Sequence, residues 1–556
     1  MKANRRLSLL IAILFVFSVF LVGCAEDKAT TSTNKPAKTT GGSSSGQVAA
    51  KPLTVGAPNG NWQENFNPFS TASLYGTNGL IYQSFYTLST VSHDEFPVLA
   101  TKYEWVNENK TLEVTLRDGV KWTDGQPFTA EDVLFTFNLL KQYPAADTSG
   151  IMTVVKSVEK KADNVVDFNF DEANIPFQEY VLQASIVPEH LWKDLGDPSK
   201  VNMTKPVGTG PYVLESFTPQ VFKMKKNENY FNAASYEVPE IHFNAYNSNE
   251  SAQLALVNGE LDWAGMFIPD IEKVYTSKDP DFHYWFPAGS GIMLYPNLKN
   301  PILSDVNVRK AINMAIDRDK IAKQAEYGYV TPLNVTAIQP RDKDLIDPKY
   351  ADQGFKQDLK GAEKILQDAG YKKGKDGIYV SPSGKKLSFS LQVVSGWSDW
   401  VQACMLVSQD LKKIGMDVKV EQPQFGAYQS NLQGHKFDLA IGWTNTAATS
   451  YKTFKDMLSK TGGWNPEGWN DPATEQALND YKATTDPAIQ KAAMSKISDI
   501  MVNQVPVMPL FYGETWYEYT TKNYTGWPDE SHQYNSPAVF TWPAAAYNLS
   551  QLKPVK

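Results

Sequence analysis

Tryptophans stand at or near the ends of several apolar runs of the chain. In "FDLAIGWTN" the run ends at Trp443, and Thr444 and Asn445 come next. Trp397 and Trp263 occupy similar places after earlier runs. An indole ring offers a flat apolar surface, and hydroxyls and amides offer uncharged hydrogen bonds, but this set contains no acid or base. The pattern predicts binding of a polar ligand rather than catalysis.

A strand–helix–strand unit is predicted to position two of these tryptophans. "KLSFSLQVV" alternates as a strand, "WVQACMLVSQDLKKI" reads as a helix that Gly415 ends, and "MDVKVE" reads as a second strand. Two strands joined through a helix are expected to be parallel, and we expect the strand that ends at Trp443 in the same sheet. Because ligands of open α/β sheets lie at the carboxyl ends of strands, Trp397 and Trp443 are predicted to face one crevice.

Length and charge limit the classes of function. The chain has 556 residues, which favours two to four domains, and a formal net charge of −8 without a basic stripe. That charge excludes a nucleic-acid partner, because phosphate binding requires clustered Lys and Arg. The six histidines are scattered and form no pair with metal-ligand spacing. We therefore expect neither a metal nor a cofactor.

The N-terminus has the features of an export signal. Lys2, Arg5 and Arg6 precede an apolar stretch at 7–22, which is short for a membrane-spanning helix. The stretch ends in "LVGC" at Cys24 and resembles the lipobox of bacterial lipoproteins, which implies cleavage after residue 23 and lipid attachment to Cys24. The alternative is an uncleaved membrane anchor in which Cys24 has no role.

A flexible tether is predicted to follow this signal. Residues 24–51 are rich in Ser, Thr, Gly and Lys, a composition that cannot bury a core. Cys404 is then the one remaining thiol, so no disulfide framework is expected, and its apolar neighbours predict a buried core position.

Four phrases resemble the family 5 solute-binding proteins of ABC importers, which take up oligopeptides, dipeptides, nickel or oligosaccharides. The phrases are "RDGVKWTDGQPFTAEDVLFTFN", "PVGTGPYVLESF", "SDVNVRKAINMAIDRDKI" and "VPVMPLFY", and they occur in the family's order. The resemblance covers most of residues 52–530. It implies a receptor outside the cell membrane, held there by the N-terminal lipid, that works as a monomer with the permease subunits of an importer.

The resemblance also implies the fold. This is the α/β, bilobed periplasmic-binding-protein type II fold (cluster C), with an extra subdomain on the first lobe and hinge strands between the lobes. By analogy, residues 1–23 are the signal peptide and 24–51 the tether. The first lobe comprises 52–85, 206–290 and 505–556, the extra subdomain 86–205, and the second lobe 291–504.

The family leaves the ligand open between a peptide and a sugar. Peptide-binding members commonly place an aspartate in a Trp-x-x-Asp-Tyr-like phrase after this strand, where it would pair with the ligand's ammonium. Here Trp443 is followed by Thr-Asn-Thr-Ala, and no acid occurs before Asp456. A buried ammonium without a counter-charge costs several kcal/mol. This departure favours an oligosaccharide, with an oligopeptide as the alternative.

A pyranose needs flat rings for its C–H face and neutral groups for its hydroxyls. The phrase "WYEYTTKNYTGWPDE" also looks like the C-terminal part of oligosaccharide-binding members. Each tryptophan has an equally ordinary interpretation as a core residue or a filler between lobes. The predicted ligand-binding residues are Trp443, Trp397, Trp263, Asn445, Thr444, Asn65, Asn67, Trp62 and Tyr512.

A surface glycosidase is the rival class of function. Such an enzyme needs two carboxylates at a fixed separation, and none of the 61 acidic residues lies in a phrase that indicates this role. "GSSSG" at 42–46 matches a nucleophile motif formally, but it lies in the tether without a strand before it. We expect a receptor and not an enzyme.

Overall fold

Two mixed sheets, each flanked by helices, form the framework of the protein in a computed structural model that describes residues 50–92, 94–444 and 447–556. Cys24, the predicted signal peptide, most of the predicted tether and Asn445 lie outside the described residues. The first sheet has seven strands with Leu53–Ala57 at its centre, parallel to the strands on either side. Its order is Phe282–Tyr284, Glu518–Thr520, Trp263–Ala264, Leu53–Ala57, Glu240–Ala245, Val221–Lys226 and Tyr212–Phe217.

The second sheet has five strands and contains the predicted strand–helix–strand unit. Its order is Asp417–Glu421, Ser388–Gln392, Leu439–Trp443, Ala288–Pro296 and Met508–Glu514. Ser388–Gln392 pairs in parallel with both Asp417–Glu421 and Leu439–Trp443, as the sequence predicts. The strand that ends at Trp443 is therefore central, and apolar residues cover both faces of this sheet.

A four-stranded antiparallel sheet lies in the region predicted as the extra subdomain. It is formed, in order, by Ala100–Val106, Thr111–Leu116, Val165–Phe170 and Val155–Ala162. The helix Ala130–Gln142 packs on it with Val133, Phe137 and Leu140 buried. Thr129 caps this helix through a capping box with Asp132.

Helices and short strands complete the described chain. Helices of eight or more residues span Ala130–Gln142, Asn249–Val257, Val306–Ala315, Leu359–Asp368, Ser398–Lys413, Phe425–Gln433, Ser450–Leu458, Pro472–Lys482, Pro487–Gln504 and Ala544–Gln551. Shorter helices span Gln178–Leu182, Glu189–Trp192, Ile271–Val274, Arg318–Gln324 and Pro348–Ala351. Two-stranded sheets pair Tyr86–Leu88 with Glu95–Pro97, Lys372–Lys373 with Tyr379–Val380, and Tyr524–Thr525 with Lys553–Pro554. Within the described ranges, no helix combines the length and the apolar character that a membrane crossing requires.

The chain passes between the two large sheets through two short segments, 285–287 and 515–517. These segments lie side by side, since Trp285 N donates to Tyr517 O at 3.1 Å and Thr515 N donates to Pro287 O at 2.8 Å. The predicted boundary at 504 is wrong for one strand: Met508–Glu514 pairs with Ala288–Pro296 and so belongs to the five-stranded sheet. We propose the two crossing segments as the hinge, and the rest of the domain division stays a prediction.

Cys404 lies on the helix Ser398–Lys413, in the core of the five-stranded sheet. It is a free, buried thiol, as predicted, and burial raises the pKa of its thiol. Burial of a neutral thiol among apolar side chains is a structural role.

Candidate functional site

Aromatic rings gather where the central strand of the five-stranded sheet ends. Trp397, Trp400, Phe425 and Trp464 surround Trp443, and we call these five residues the aromatic wall. Trp464 stacks on Trp443 with ring centroids 5.6 Å apart and planes 18° apart. Trp400 is the buried member of the wall, whereas the other four members are partly exposed. The wall therefore offers flat apolar surface on a packed base.

Backbone contacts fix the position of Trp443. Its carbonyl accepts hydrogen bonds from Tyr295 Oη at 2.9 Å and from Trp464 Nε1 at 2.8 Å. Tyr295 is fully buried on the neighbouring strand Ala288–Pro296, so it ties the end of the central strand to the core. The backbone of Trp443 is thus fixed by Tyr295 in the core and by Trp464 in the wall.

The carboxyl ends of the two large sheets meet at this wall. Trp397 Nε1 donates to the carbonyl of Pro58, directly after the central strand of the seven-stranded sheet, at 3.2 Å. Asn249 N donates to Gly396 O at 3.3 Å. The Asn249 amide also donates to Asp399 Oδ1 at 3.2 Å, and this contact is buried. The protein is therefore in a closed arrangement, with the crevice between the two sheets.

The backbone at Gly396 closely approaches the opposite side of the crevice. Its φ is +86°, and a Cβ there would lie 2.6 Å from the carbonyl oxygen of Asn247 on the opposite side. Such a distance requires one side of the crevice to move away. Only glycine allows both the backbone conformation and the contact.

Gly396→Ala is expected to weaken ligand binding about tenfold, which corresponds to about 1.4 kcal/mol lost from the closed arrangement. Gly415→Ala is the matched control. Gly415 has a φ of +72° and a Cβ there would lie 2.7 Å from the Gly377 carbonyl, but both residues belong to the same side of the crevice. The two variants should lose similar stability in thermal melts, and calorimetric titration should find weaker binding for Gly396→Ala alone. Equal affinities would contradict the role of Gly396 in closure.

Asp399 is a titratable group inside the closed contact. Burial, helped by the nearby charge of Glu250, raises the pKa of its carboxyl to about 6, against the lowering effect of helix N–H groups and Asn249. A raised pKa means that the closed arrangement favours the protonated form. Closure is therefore favoured below the ordinary pKa of an aspartate and loses this contribution as the pH rises through about 6.

Ligand affinity is expected to fall by up to about tenfold between pH 5 and pH 7, on the assumption that opening restores an ordinary pKa to Asp399. Calorimetric titrations at both pH values measure this change. Asp399→Asn keeps an acceptor for Asn249 but cannot ionise, so the variant should have a flat profile over this range. An unchanged slope in Asp399→Asn would assign the pH dependence to another group.

Two carboxyls that follow Trp443 along the chain, Asp456 and Glu467, are buried. Asp456 is buried, accepts from Tyr180 Oη at 2.6 Å and pairs with Lys452 at 2.8 Å. Glu467 is fully buried, and burial raises the pKa of its carboxyl well above its ordinary value. Neither carboxyl is exposed to a ligand at Trp443.

Comparison with known proteins identifies the family. The profile described as "Bacterial extracellular solute-binding proteins, family 5 Middle" matches residues 96–466. The chain belongs to this family. Family 5 proteins are the substrate-binding receptors of ABC importers, so this family 5 protein is a solute-binding receptor, with the bilobed, mixed α/β type II fold.

Relatives and solved structures agree with this assignment. The oligopeptide-binding protein AppA of Bacillus subtilis is 25% identical over 548 residues, which cover 92% of this chain and 94% of AppA. The mannohexaose-bound periplasmic oligopeptide-binding protein of Thermotoga maritima is 28% identical, with a TM-score of 0.84, and covers 91% of this chain and 99% of its own. The structure of AppA with a nonapeptide has a TM-score of 0.78 at 22% identity, over 91% of this chain and 99% of its own, and shows a shared fold.

Two tryptophans that were predicted to contact the ligand lie in the core of the protein. Trp263 has 0% exposure, and its Nε1 donates to Pro537 O at 2.9 Å. Trp62 is buried, with its Nε1 bound to Phe243 O at 3.0 Å. The prediction of ligand contact is therefore wrong for both in this arrangement, because each ring fills the core of the seven-stranded sheet and its N–H is satisfied there.

Three polar residues of the predicted set stabilise backbone. Asn67 is fully buried and its amide donates to Pro198 O and Val201 O, so it is not a ligand contact here. Thr444 is also buried, and its hydroxyl accepts from Gly291 N at 3.0 Å, which removes it from the predicted site. Asn65 is partly exposed, but its amide already binds Ser70 Oγ at 3.1 Å.

Among the described residues, the remaining predicted ones are Trp443, Trp397 and Tyr512, and all three are partly exposed. Tyr512 lies on the strand Met508–Glu514, where its hydroxyl donates to Ile338 O at 3.2 Å, and burial raises the pKa of that hydroxyl. Sequence reasoning missed Trp400, Phe425 and Trp464 as wall members. Stacking of Trp464 on Trp443 depends on a loop 21 residues further along the chain, and no local pattern predicts it.

Proposed function

We propose that this receptor captures an oligosaccharide between its two lobes and delivers it to the permease of an ABC importer. The partly exposed rings of Trp443, Trp397, Phe425 and Trp464 supply the flat surfaces that pyranose rings stack on. Closure of the lobes removes that surface from water around the ligand. Capture by this route needs no chemical step.

The observation that carries the proposal is that the Asp456 carboxylate is buried and already paired within the protein. A peptide ligand brings an ammonium that needs a counter-charge, because an unpaired buried charge costs several kcal/mol. Asp456 is the first acid after Trp443, and it is buried against Lys452 and Tyr180. An uncharged ligand has no such requirement, so the wall suits a sugar better than a peptide.

The comparisons supply support for each ligand class. The Thermotoga maritima protein was solved with mannohexaose, and it is similar to this chain at 28% identity. AppA, by its name an oligopeptide-binding protein, is similar at 25% identity. An oligopeptide is therefore the second candidate, and a direct binding test separates the two.

A thermal-shift panel tests the proposal. Cello-, xylo- and manno-oligosaccharides are compared with tri- to pentapeptides on the purified protein. A ligand present at a hundred times its Kd adds about 2.7 kcal/mol to the free energy of unfolding. Stabilisation by at least one sugar series and by no peptide is expected, and stabilisation by peptides alone would refute the sugar. Product formation from a stabilising sugar over many turnovers would instead indicate a glycosidase.

We also propose that Cys24 carries a lipid that holds the receptor at the outer face of the membrane. The basic residues, the short apolar stretch and "LVGC" in the sequence support this. Lipid attachment provides an anchor that an acidic protein surface alone does not provide.

Cys24→Ser is expected to abolish lipid labelling and to change the protein's cell fraction. Metabolic labelling with an alkyne fatty acid, followed by separation of membrane and soluble fractions, measures both effects. Cys404→Ser is the control, because that thiol is buried in the core and should not affect labelling. Continued labelling of Cys24→Ser would contradict the proposed anchor.

A further inference from the structure

A second cavity lies away from the crevice. Its volume is about 500 Å³, within the range of about 300–1,000 Å³ that small-molecule sites occupy. All of its lining residues come from 79–236 and 543–550, so it lies between the region predicted as the extra subdomain and the seven-stranded sheet. We call it the junction cavity. It shares no residue with the aromatic wall.

Gln83 places an unused acceptor in the wall of the junction cavity. The side chain is 3% exposed, and its Nε2 donates to Tyr230 Oη at 2.8 Å. Its Oε1 has no hydrogen-bond partner among the described residues. A buried amide oxygen without a donor is costly, so the site favours an occupant that brings an O–H or N–H group.

Arg117 places a cation in the same cavity. Its Nε donates to Val98 O at 2.7 Å, and its guanidinium lies 4.7 Å from the ring centre of Phe231. In the described ranges no carboxylate comes within salt-bridge distance of Arg117, and Nη1 makes no hydrogen bond. Nη2 donates to Pro97 O at 3.4 Å, so Nη1 is left for an anion, and a carboxylate matches the geometry of a guanidinium.

Aromatic rings form a further part of the wall of the junction cavity. Phe96 and Tyr547 stack with centroids 3.7 Å apart, and they bring the two parts of the chain together at the cavity. Tyr230, Tyr236 and Phe231 line another part of it. These ring surfaces suit a ligand with a flat apolar centre, an anionic group at one end and a hydrogen-bond donor at the other.

We propose that the junction cavity is a second ligand site for a small aromatic carboxylic acid that carries a hydroxyl group. The carboxylate binds Arg117, the hydroxyl donates to Gln83 Oε1, and the ring packs on the aromatic side chains. This site is independent of the sugar proposed for the crevice, because none of its residues belongs to the five-stranded sheet or the aromatic wall.

Calorimetric titration of the full-length protein in detergent with 4-hydroxycinnamate tests this site. Cinnamate lacks the hydroxyl, and methyl 4-hydroxycinnamate lacks the charge. Saturable binding of 4-hydroxycinnamate with one site per chain is expected, with each comparison compound about tenfold weaker or more, since hydrogen bonds to charged or buried groups are lost. Absence of saturable 4-hydroxycinnamate binding would overturn the proposal.

Three variants locate the binding. Arg117→Met removes the cation, and Ser550→Trp fills the cavity from its partly exposed rim; each should weaken 4-hydroxycinnamate binding at least about tenfold. Arg117→Met removes a hydrogen bond to the Val98 carbonyl and could fail to fold for that reason. In that case the effect of Ser550→Trp on 4-hydroxycinnamate binding is the test of the site. Trp443→Ala should leave this binding unchanged. If Trp443→Ala abolished 4-hydroxycinnamate binding and Ser550→Trp did not, the compound would bind in the crevice, and the junction site would be refuted.

Discussion

Trp443→Ala is expected to weaken oligosaccharide binding by about 1–3 kcal/mol, by analogy with the stacking of nucleic-acid bases on aromatic side chains. That loss corresponds to an increase in Kd between about fivefold and 150-fold. The physical reason is that the variant removes the central ring of the aromatic wall, against which Trp464 and Phe425 are aligned. Calorimetric titration with the stabilising sugar measures the change.

The same substitution also leaves a space under Trp464, so stability must be measured beside affinity. Because the ring is partly exposed, we expect a loss of about 2–3 kcal/mol in the free energy of unfolding, at or below the low end for a core tryptophan. Trp105→Ala is the matched control: Trp105 is also partly exposed, packs on Phe170 and lies in the four-stranded sheet. It should lose stability and keep full affinity. Full affinity in Trp443→Ala as well would make Trp443 a purely structural residue.

Asp456→Ala is expected to lower the free energy of unfolding by about 3–5 kcal/mol, the usual cost of leaving one partner of a buried ion pair unpaired. Asp456 and Lys452 are 2.8 Å apart, with side-chain exposures of 2% and 14%. Although burial alone raises the pKa of Asp456, Lys452 and Lys455 hold it below its ordinary value. Without the carboxylate, Lys452 and Lys455 would be two buried cations beside Tyr180.

An exposed pair of identical spacing is the control for this prediction. Lys364 and Asp368 are also four residues apart on a helix and 2.8 Å from each other, but their side chains are 73% and 64% exposed. Asp368→Ala should therefore cost at most about 0.5 kcal/mol. Urea unfolding of both variants gives the comparison. Similar losses of unfolding free energy in the two variants would show that burial does not determine how much the Asp456–Lys452 pair stabilises the protein.

Local patterns predict much of the scaffold that holds the wall. The alternation at 388–392 and 417–421, with a helix between them, predicts a parallel pair in one sheet, and the structure has that pair. Thr129 and Asp132 predict a helix start that the structure also has. These features depend on contacts between residues close in the chain, which is why sequence periodicity is sufficient to find them.

Exposure at the ends of strands is not predictable in the same way. Trp263 lies in a two-residue strand and Trp443 ends a longer one, but the C-terminal part of the chain covers Trp263 through Pro537, 274 residues away. Asp456 is likewise satisfied by Tyr180, 276 residues away. Whether a polar or aromatic side chain faces a ligand depends on such distant partners, and a single sequence carries no local signal for them.

Calorimetric titration with neutral and charged ligands is the most direct test of the central claim, that the aromatic wall binds an uncharged saccharide. Six-unit cello-, xylo- and manno-oligosaccharides and a tri-, a tetra- and a pentapeptide are titrated one at a time into the protein. We predict saturable one-to-one binding of at least one sugar and no binding of the peptides. One-to-one binding of a peptide, with all three sugars silent, would contradict the account.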